Sequence, residues 1–140
     1  MYTVQQVSKM MNISAHTLRY YDNEGLFPFV SRSAGSGARV FSDDDLQWVY
    51  TVQCFRMTDM PLADIKHYID LCVKGDETIA ERYEIIKKQS GIASKELDIM
   101  QERVKMLEKK VDYYKALLDG TEGEDYWNPI YLKLMRCLAD

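Results

Sequence analysis

A long heptad pattern between Thr78 and Leu118 constrains this chain more than any other feature. Its apolar or small residues alternate spacings of four and three without interruption, at Ile79, Tyr83, Ile86, Ser90, Ala93, Leu97, Met100, Val104, Leu107, Val111, Tyr114 and Leu118. This alternation is typical of a coiled-coil helix, and a helix of this length measures about 60 Å. A single helix cannot bury its own stripe. The pattern therefore predicts a partner helix, most economically from a second copy of the chain in a homodimer.

The remainder of the 140 residues leaves room for one small domain before the heptads and a short segment after them. Gly75 is expected to end the compact domain, and an acidic link follows Gly120. We therefore predict three parts: a compact domain over residues 1–75, a dimerisation helix over 76–119, and a tail with a short helix over 120–140. The predicted fold class is mostly α.

The first 25 residues predict two short helices joined by a tight turn. Thr3 can cap the first helix, and Asn12, which tolerates a left-handed conformation, can end it. Ser14 offers a second N-cap only two residues later, and Gly25 suits the position after the second helix. This arrangement is a helix-turn-helix.

The second helix has two different faces. Ala15, Leu18 and Tyr21 form an apolar stripe that can face the first helix. The opposite face carries His16, Arg19, Tyr20 and Asn23, with Thr17 near the amino end. Arginine can bind guanine edges or phosphate, and a tyrosine hydroxyl can bond phosphate, so this face suits a DNA major groove. The alternative is an ordinary solvated surface.

The next segment, Leu26 to Phe41, predicts a β-hairpin or loop that projects Arg32 and Arg39 near its base. Net charge is −4, yet Met1 to Phe41 carries four cations against two anions, so a nucleic-acid partner stays open. Ser42, followed by three aspartates, should start a third helix that runs to about Met57. Pro61 should open a fourth.

These segments resemble the MerR family of bacterial transcription regulators. The resemblance rests on "YTVQQVSKMMNISAHTLRYYDNEGL", on a loop ending in "ARVFSDDDLQWV", and on "MTDMPLADIK". It is close from Tyr2 to about Tyr68 and extends to the coiled coil by pattern only. It implies a winged helix-turn-helix followed by a long dimerisation helix.

The resemblance also implies a mechanism. Two winged domains, held apart by an antiparallel coiled coil, would bind double-stranded promoter DNA whose spacer is too long for RNA polymerase. They would then bend and untwist that DNA in response to an effector. Carried over by position, His16, Thr17, Arg19 and Tyr20 belong to the recognition helix, Arg32 and Arg39 belong to the wing, and Lys66 adds a phosphate contact.

The effector is less constrained by the sequence. Cys54, Cys72 and Cys137 are spaced too widely for a disulfide framework or a zinc site. Metal-sensing relatives carry cysteines after the long helix, and residues 119–128 have none, so neither a metal nor another cofactor is expected. Cys54 occupies a position like that of a lone thiol in aldehyde- or electrophile-responsive relatives. The alternative is a small buried apolar residue.

A second candidate effector site is aromatic. Tyr126, Trp127 and Tyr131 of the tail, with Tyr113, could line a pocket for an apolar or cationic small molecule. The alternative is that these rings only cap the end of the coiled coil. The large drug-binding relatives carry an added C-terminal domain, for which about twenty residues after the helix leave no room.

Other function classes fit poorly. The chain has only two histidines, no Gly-rich phosphate loop and no paired carboxylates in an apolar setting, so an enzyme is not expected. Its start lacks a basic leader and a long apolar run, which favours a cytoplasmic protein without a membrane partner. The remaining rival is a coiled-coil scaffold whose helix-turn-helix does not bind DNA specifically.

Overall fold

The computed structural model describes residues 1–121 and Arg136, and this part is mostly helical with one small sheet. The elements are β1 (Tyr2–Thr3), α1 (Val4–Met11), α2 (Ala15–Asn23), β2 (Ser31–Arg32), β3 (Arg39–Phe41), α3 (Asp43–Met57), α4 (Leu62–Lys74) and α5 (Ile79–Leu118). A 3₁₀ turn, Asp76–Thr78, precedes α5. The predicted winged helix-turn-helix and long helix are confirmed. The predicted C-terminal helix lies outside the described residues.

The helix-turn-helix forms because each helix start is fixed by a side chain. The Thr3 side chain accepts a hydrogen bond from the Gln6 N–H, and the Gln6 side chain accepts one from the Thr3 N–H. Asn12, with φ 51°, ends α1 in the left-handed conformation. The Ser14 hydroxyl then accepts from the Thr17 N–H at 3.0 Å and starts α2.

The wing belongs to a three-stranded antiparallel sheet in the order β1-β3-β2. Tyr2 lies opposite Phe41, and Ser31 lies opposite Val40. Strand β1 was not predicted, since the sequence favoured only a two-stranded hairpin. The central strand of the wing is therefore shared with the residues that cap α1.

One hydrophobic core joins α1, α2, α3 and α4. Its fully buried side chains include Val7, Leu18, Leu26, Phe41, Val49, Val52, Met60, Ile65 and Ile69. Ser42 caps α3, and the Asp45 carboxylate accepts from the Ser42 N–H at 2.8 Å. The core thereby anchors the inner side of α2 and leaves its outer side free.

The chain divides into two compact units, Met1–Gln89 and a second that begins at Ser90. The first unit extends past the boundary predicted at residue 75. Ile85 packs against the core, and the Gln89 side-chain amide donates to the Thr58 carbonyl at 2.9 Å. The first turns of α5 are thus part of the winged unit.

The corner between α4 and α5 is closed by hydrogen bonds. The buried Thr78 hydroxyl lies 2.6 Å from the Leu71 carbonyl oxygen and 2.8 Å from that of Gly75. The Arg82 guanidinium donates to the Thr78 hydroxyl at 3.1 Å and to the Gly75 carbonyl at 3.2 Å. These bonds add side-chain donors to the Leu71 and Gly75 carbonyls, which each accept a backbone N–H as well.

The heptad stripe of α5 is exposed in the single chain. Val104, Leu107 and Val111 are 44%, 60% and 65% exposed. Large apolar side chains at helical spacing are seldom left in water along so much of a helix. Within the described residues, no helix combines the length and the hydropathy that crossing a bilayer requires.

Candidate nucleic-acid interface

The two faces of α2 are confirmed by burial. Leu18 is fully buried, and Ala15 and Tyr21 pack against the core. The Tyr21 ring meets the Phe27 ring edge-on at 6.5 Å between centroids. His16, Arg19, Tyr20 and Asn23 are exposed, with Tyr20 at 46%. The two adjacent tyrosines therefore serve opposite faces, as predicted.

Thr17 lies at the amino end of α2, between these faces. It is half-buried, and its hydroxyl accepts a hydrogen bond from the Ser14 hydroxyl at 2.7 Å. A hydroxyl that accepts one bond still has its own hydrogen to donate. Thr17 can therefore stabilise the start of α2 and still donate to an acceptor outside the protein.

The two wing arginines differ in exposure. Arg32 is 55% exposed, and its guanidinium donates to the Gly37 carbonyl at 3.1 Å across the hairpin. A second nitrogen of the group lies 4.0 Å from the Asp22 carboxylate. Arg32 is thus held loosely and remains open to solvent.

Arg39 does not project as expected. Its side chain is only 11% exposed, its Nε donates to Asp22 Oδ2 at 2.6 Å, and its Nη2 donates to Asn23 Oδ1 at 2.6 Å. We call this set of Asp22, Asn23 and Arg39 the wing clamp. Sequence reasoning missed Asp22. The available signal was its place in the "RYYDN" block, about one helical turn after Arg19 in a segment with twice as many cations as anions.

A concave surface separates the first turn of α1, the recognition helix α2 and the wing. Its lining includes the side chains of Arg19, Arg32 and Arg39 together with Thr3 and Ser33. Arg39 is paired with Asp22, so the exposed Arg19 and Arg32 supply the positive charge at this concavity that suits a polyanion. His16, Tyr20 and Lys66 do not line it.

Lys66 of α4 lies across the end of α2. A Cβ placed on Gly25, whose φ is +79°, would come within 2.8 Å of Lys66 Cε. Its ammonium group pairs with Asp70 one turn further along α4, and both side chains are well exposed. Exposed pairs of this kind contribute only about 0.3 to 0.5 kcal/mol. Lys66 can therefore exchange Asp70 for a phosphate at little cost.

Comparison with known proteins assigns the chain to a family. The family model of the MerR HTH family regulatory proteins matches residues 2–72. The chain belongs to the MerR family. An uncharacterised HTH-type transcriptional regulator from Haemophilus influenzae is 38% identical over 114 residues, which cover 81% of this chain and 84% of that protein.

Two solved structures extend the comparison of this MerR-family regulator. HiNmlR, a MerR family regulator lacking the sensor domain, was crystallised bound to promoter DNA. It is 38% identical, with a TM-score of 0.75 over 86% of this chain and 95% of that one. A MerR family regulator from Bacillus thuringiensis is 34% identical, with a TM-score of 0.70 over 79% of this chain and 96% of that one.

The two described cysteines of this MerR-family chain are both half-buried. Cys54 lies on α3 one turn after Tyr50, and a hydrogen bond between them raises the pKa of Tyr50. Cys72 lies on α4, where the Arg82 Nη1 is 3.8 Å from its sulfur. Half-burial is compatible with either role weighed for Cys54, a reactive thiol or a small apolar packing residue.

The candidate aromatic pocket is described only at Tyr113. Its ring meets the Tyr114 ring edge-on at 5.1 Å, and the Lys110 ammonium lies 5.8 Å from its centroid. Tyr126, Trp127 and Tyr131, like Cys137, lie outside the described residues. Over residues 1–121 and Arg136, no three His, Cys, Asp or Glu side chains are grouped so that they could hold a metal ion.

Proposed function

We propose that this MerR-family regulator binds a near-palindromic promoter operator as a homodimer. One observation carries the proposal: the outer face of α2 presents Arg19 and Tyr20 to solvent beside the exposed Arg32 of the wing. A recognition helix needs this arrangement to enter a major groove while the wing follows the backbone. The relative HiNmlR, crystallised on promoter DNA without a sensor domain, supports it.

The proposed contacts divide into two classes. His16 and Arg19 would read base edges, because imidazole and guanidinium groups near the start of a recognition helix reach the groove floor. The second class would position the protein on phosphates, through Thr17, Tyr20, Arg32 and Lys66. Asp70, the present partner of Lys66, would give way to phosphate.

Homodimerisation is supported by the exposed stripe of α5. The stripe repeats at coiled-coil spacing, and the chain leaves it in water. A second copy would cover both stripes at once, since identical chains present identical surfaces. Two linked winged units would then bind the two half-sites of a promoter in the cytoplasm. RNA polymerase would bind the same promoter.

Regulation would follow from distortion of that promoter. Bending and untwisting DNA costs free energy that extra phosphate contacts can offset. An effector that shifts the two winged units would therefore change how well the spacer suits RNA polymerase. We propose a small electrophile at Cys54 as that effector, since Cys54 is half-buried and lies in the winged unit. An apolar ligand near Tyr113 is the second candidate.

Replacing Arg19 with alanine tests the DNA-binding proposal. If Arg19 reads a base pair, the operator complex should weaken by about 1 to 3 kcal/mol, with relaxed preference at one position. The measurement is a gel shift against the chain's own promoter region at several salt concentrations. Lys74→Ala is the matched control, because it removes one exposed cation from the far end of α4.

The salt series separates the regulator from the scaffold. A specific complex that weakens steeply with salt supports the regulator, because released counterions dominate such binding. Absence of any complex at low salt favours a scaffold that does not use its helix-turn-helix on DNA. Equal operator binding by the Arg19 and Lys74 variants would show that Arg19 is an ordinary solvated residue and does not read a base.

Replacing Cys54 with serine tests the electrophile proposal. Serine keeps the size of the side chain but lacks the thiolate nucleophile, so induction of a promoter reporter by an aldehyde should be lost. Cys72→Ser is the control, because Cys72 is equally half-buried and lies beside Arg82. Full induction in the Cys54 variant would eliminate this effector while leaving the DNA-binding proposal intact.

A further inference from the structure

We propose that the wing clamp fixes the angle of the wing against the recognition helix, so that Asp22 and Arg39 are positioning residues for operator binding and not DNA contacts. This inference rests on the proposed function as a DNA-binding regulator. It differs from the expectation that the resemblance carried, which placed Arg39 with Arg32 on the DNA.

The clamp joins two elements that are far apart in sequence. Arg39 begins β3, the central strand of the wing sheet, and Asp22 and Asn23 form the last turn of α2. Two nitrogens of the guanidinium are used: Nε donates to the carboxylate at 2.6 Å, and Nη2 donates to the amide oxygen at 2.6 Å. A planar group held at two points fixes orientation as well as distance.

Low exposure makes the clamp stronger than a surface ion pair. The Arg39 and Asp22 side chains are 11% and 15% exposed, so salt screens their attraction little. If Arg39 left to bind a phosphate, the poorly solvated Asp22 carboxylate would keep only the Arg32 guanidinium, 4.0 Å away and 55% exposed. Removing one partner from a desolvated ion pair leaves the other charge poorly compensated, which is costly. Arg39 is therefore more stable in its bonds to Asp22 and Asn23 than it would be on a phosphate.

The carboxylate of Asp22 is otherwise hard to explain at this place. It lies next to a concavity lined by three arginines, where a negative charge repels DNA. Arg32 lies opposite Arg39 in the β2–β3 register and is 4.0 Å from the same carboxylate. Asp22 therefore lies beside both wing arginines, and the strong bond to Arg39 gives its carboxylate a structural role that offsets its repulsion of DNA.

The Asp22→Asn variant distinguishes a positioning role for Asp22 from simple repulsion of DNA, because the two predict opposite changes in operator affinity. Simple charge removal near a polyanion predicts tighter binding to all DNA. The clamp instead predicts that operator binding weakens about tenfold, within the range of coupling in contacting networks. Binding to a duplex of random sequence should stay equal or become tighter, so the specificity ratio falls. Glu24→Gln is the control, because it removes the same charge two residues later from an exposed side chain.

A double-mutant cycle with Arg39→Gln tests whether the two residues act as one unit. If they do, the double variant should bind the operator no more weakly than either single variant. If Arg39 itself holds a phosphate, Arg39→Gln should lower the slope of log affinity against log salt by about 0.9, and Asp22→Asn should bind the operator more tightly. That pair of results would overturn the clamp.

Folding defects and failure of the proposed function are recognised separately. A misfolded variant loses operator and random-sequence binding together, and its circular dichroism melt shows this directly. If Asp22→Asn misfolds, Arg39→Lys is used in its place. Lysine keeps the positive charge but lacks the planar fork with which arginine holds two acceptors at once. The clamp then predicts lower specificity with an unchanged salt slope. Wild-type protein that binds no operator refutes the proposed function. Wild-type binding with equal behaviour of the Asp22 and Glu24 variants refutes only the clamp.

Discussion

Replacing Val104 and Leu107 together with aspartate is expected to turn the proposed homodimer into a monomer. Both side chains lie on the exposed heptad stripe of α5, where a partner helix would remove them from water. In the variant the same contact would bury unpaired carboxylates, which costs several kcal/mol for each. Sedimentation velocity at micromolar concentration should show the halved mass.

Operator binding should fall with the dimer. Two linked half-site contacts gain about 10²- to 10⁴-fold over one, because the second contact becomes intramolecular. Lys105→Asp is the matched control: it changes net charge by the same amount as the double substitution, and its side chain is 62% exposed. A Val104/Leu107 variant that stays dimeric would show that α5 is covered in another way.

Replacing Leu18 with alanine is expected to remove much of the stability of the winged unit. Leu18 is the one fully buried residue of α2, and it packs in the core shared by all four short helices. Truncating such a leucine costs about 2 to 5 kcal/mol, which approaches the whole stability of a small domain. Urea unfolding followed by circular dichroism measures the loss.

Arg19, the residue after Leu18, provides a control because its side chain lies on the exposed face of α2. Arg19 is exposed and forms no core contact, so Arg19→Ala should leave the free energy of unfolding within about 0.5 kcal/mol of wild type. Leu18→Met, which preserves volume, should cost less than about 1.5 kcal/mol. Equal destabilisation by the Leu18 and Arg19 alanine variants would contradict the division of α2 into a buried and a binding face.

Features that depend on neighbours in sequence were predicted well. Thr3, Ser14 and Ser42 each cap a helix through a backbone N–H three residues away, so the sequence contains both partners of each bond. The burial of Tyr21 and the exposure of Tyr20 followed from helical period alone. The boundaries of α1 to α5 could be read from the same local signals.

Features that depend on distant residues were missed. Strand β1 has two residues and exists because Tyr2 and Thr3 pair with Phe41 and Val40. The clamp between Asp22 and Arg39, and the bond from Gln89 to Thr58, also join residues that no local pattern relates. The low exposure of Arg39 was missed for the same reason, because charge alone does not indicate where a guanidinium is already bonded within the protein. The predicted roles on DNA all stay predictions, for His16, Thr17, Arg19, Tyr20, Arg32, Arg39 and Lys66.

The closed corner between α4 and α5 has a mechanical consequence. The Thr78 hydroxyl, in the 3₁₀ turn, bonds the Leu71 carbonyl of α4, and Arg82, in the first turn of α5, bonds Thr78 and the Gly75 carbonyl, so bending there would break buried hydrogen bonds. Ile85 and Gln89 hold the following turns against the same unit. A displacement of these turns must therefore carry α4 with it as a rigid body. Gln89 is the last of these anchoring side chains, so the restraint they place on α5 covers its first three turns.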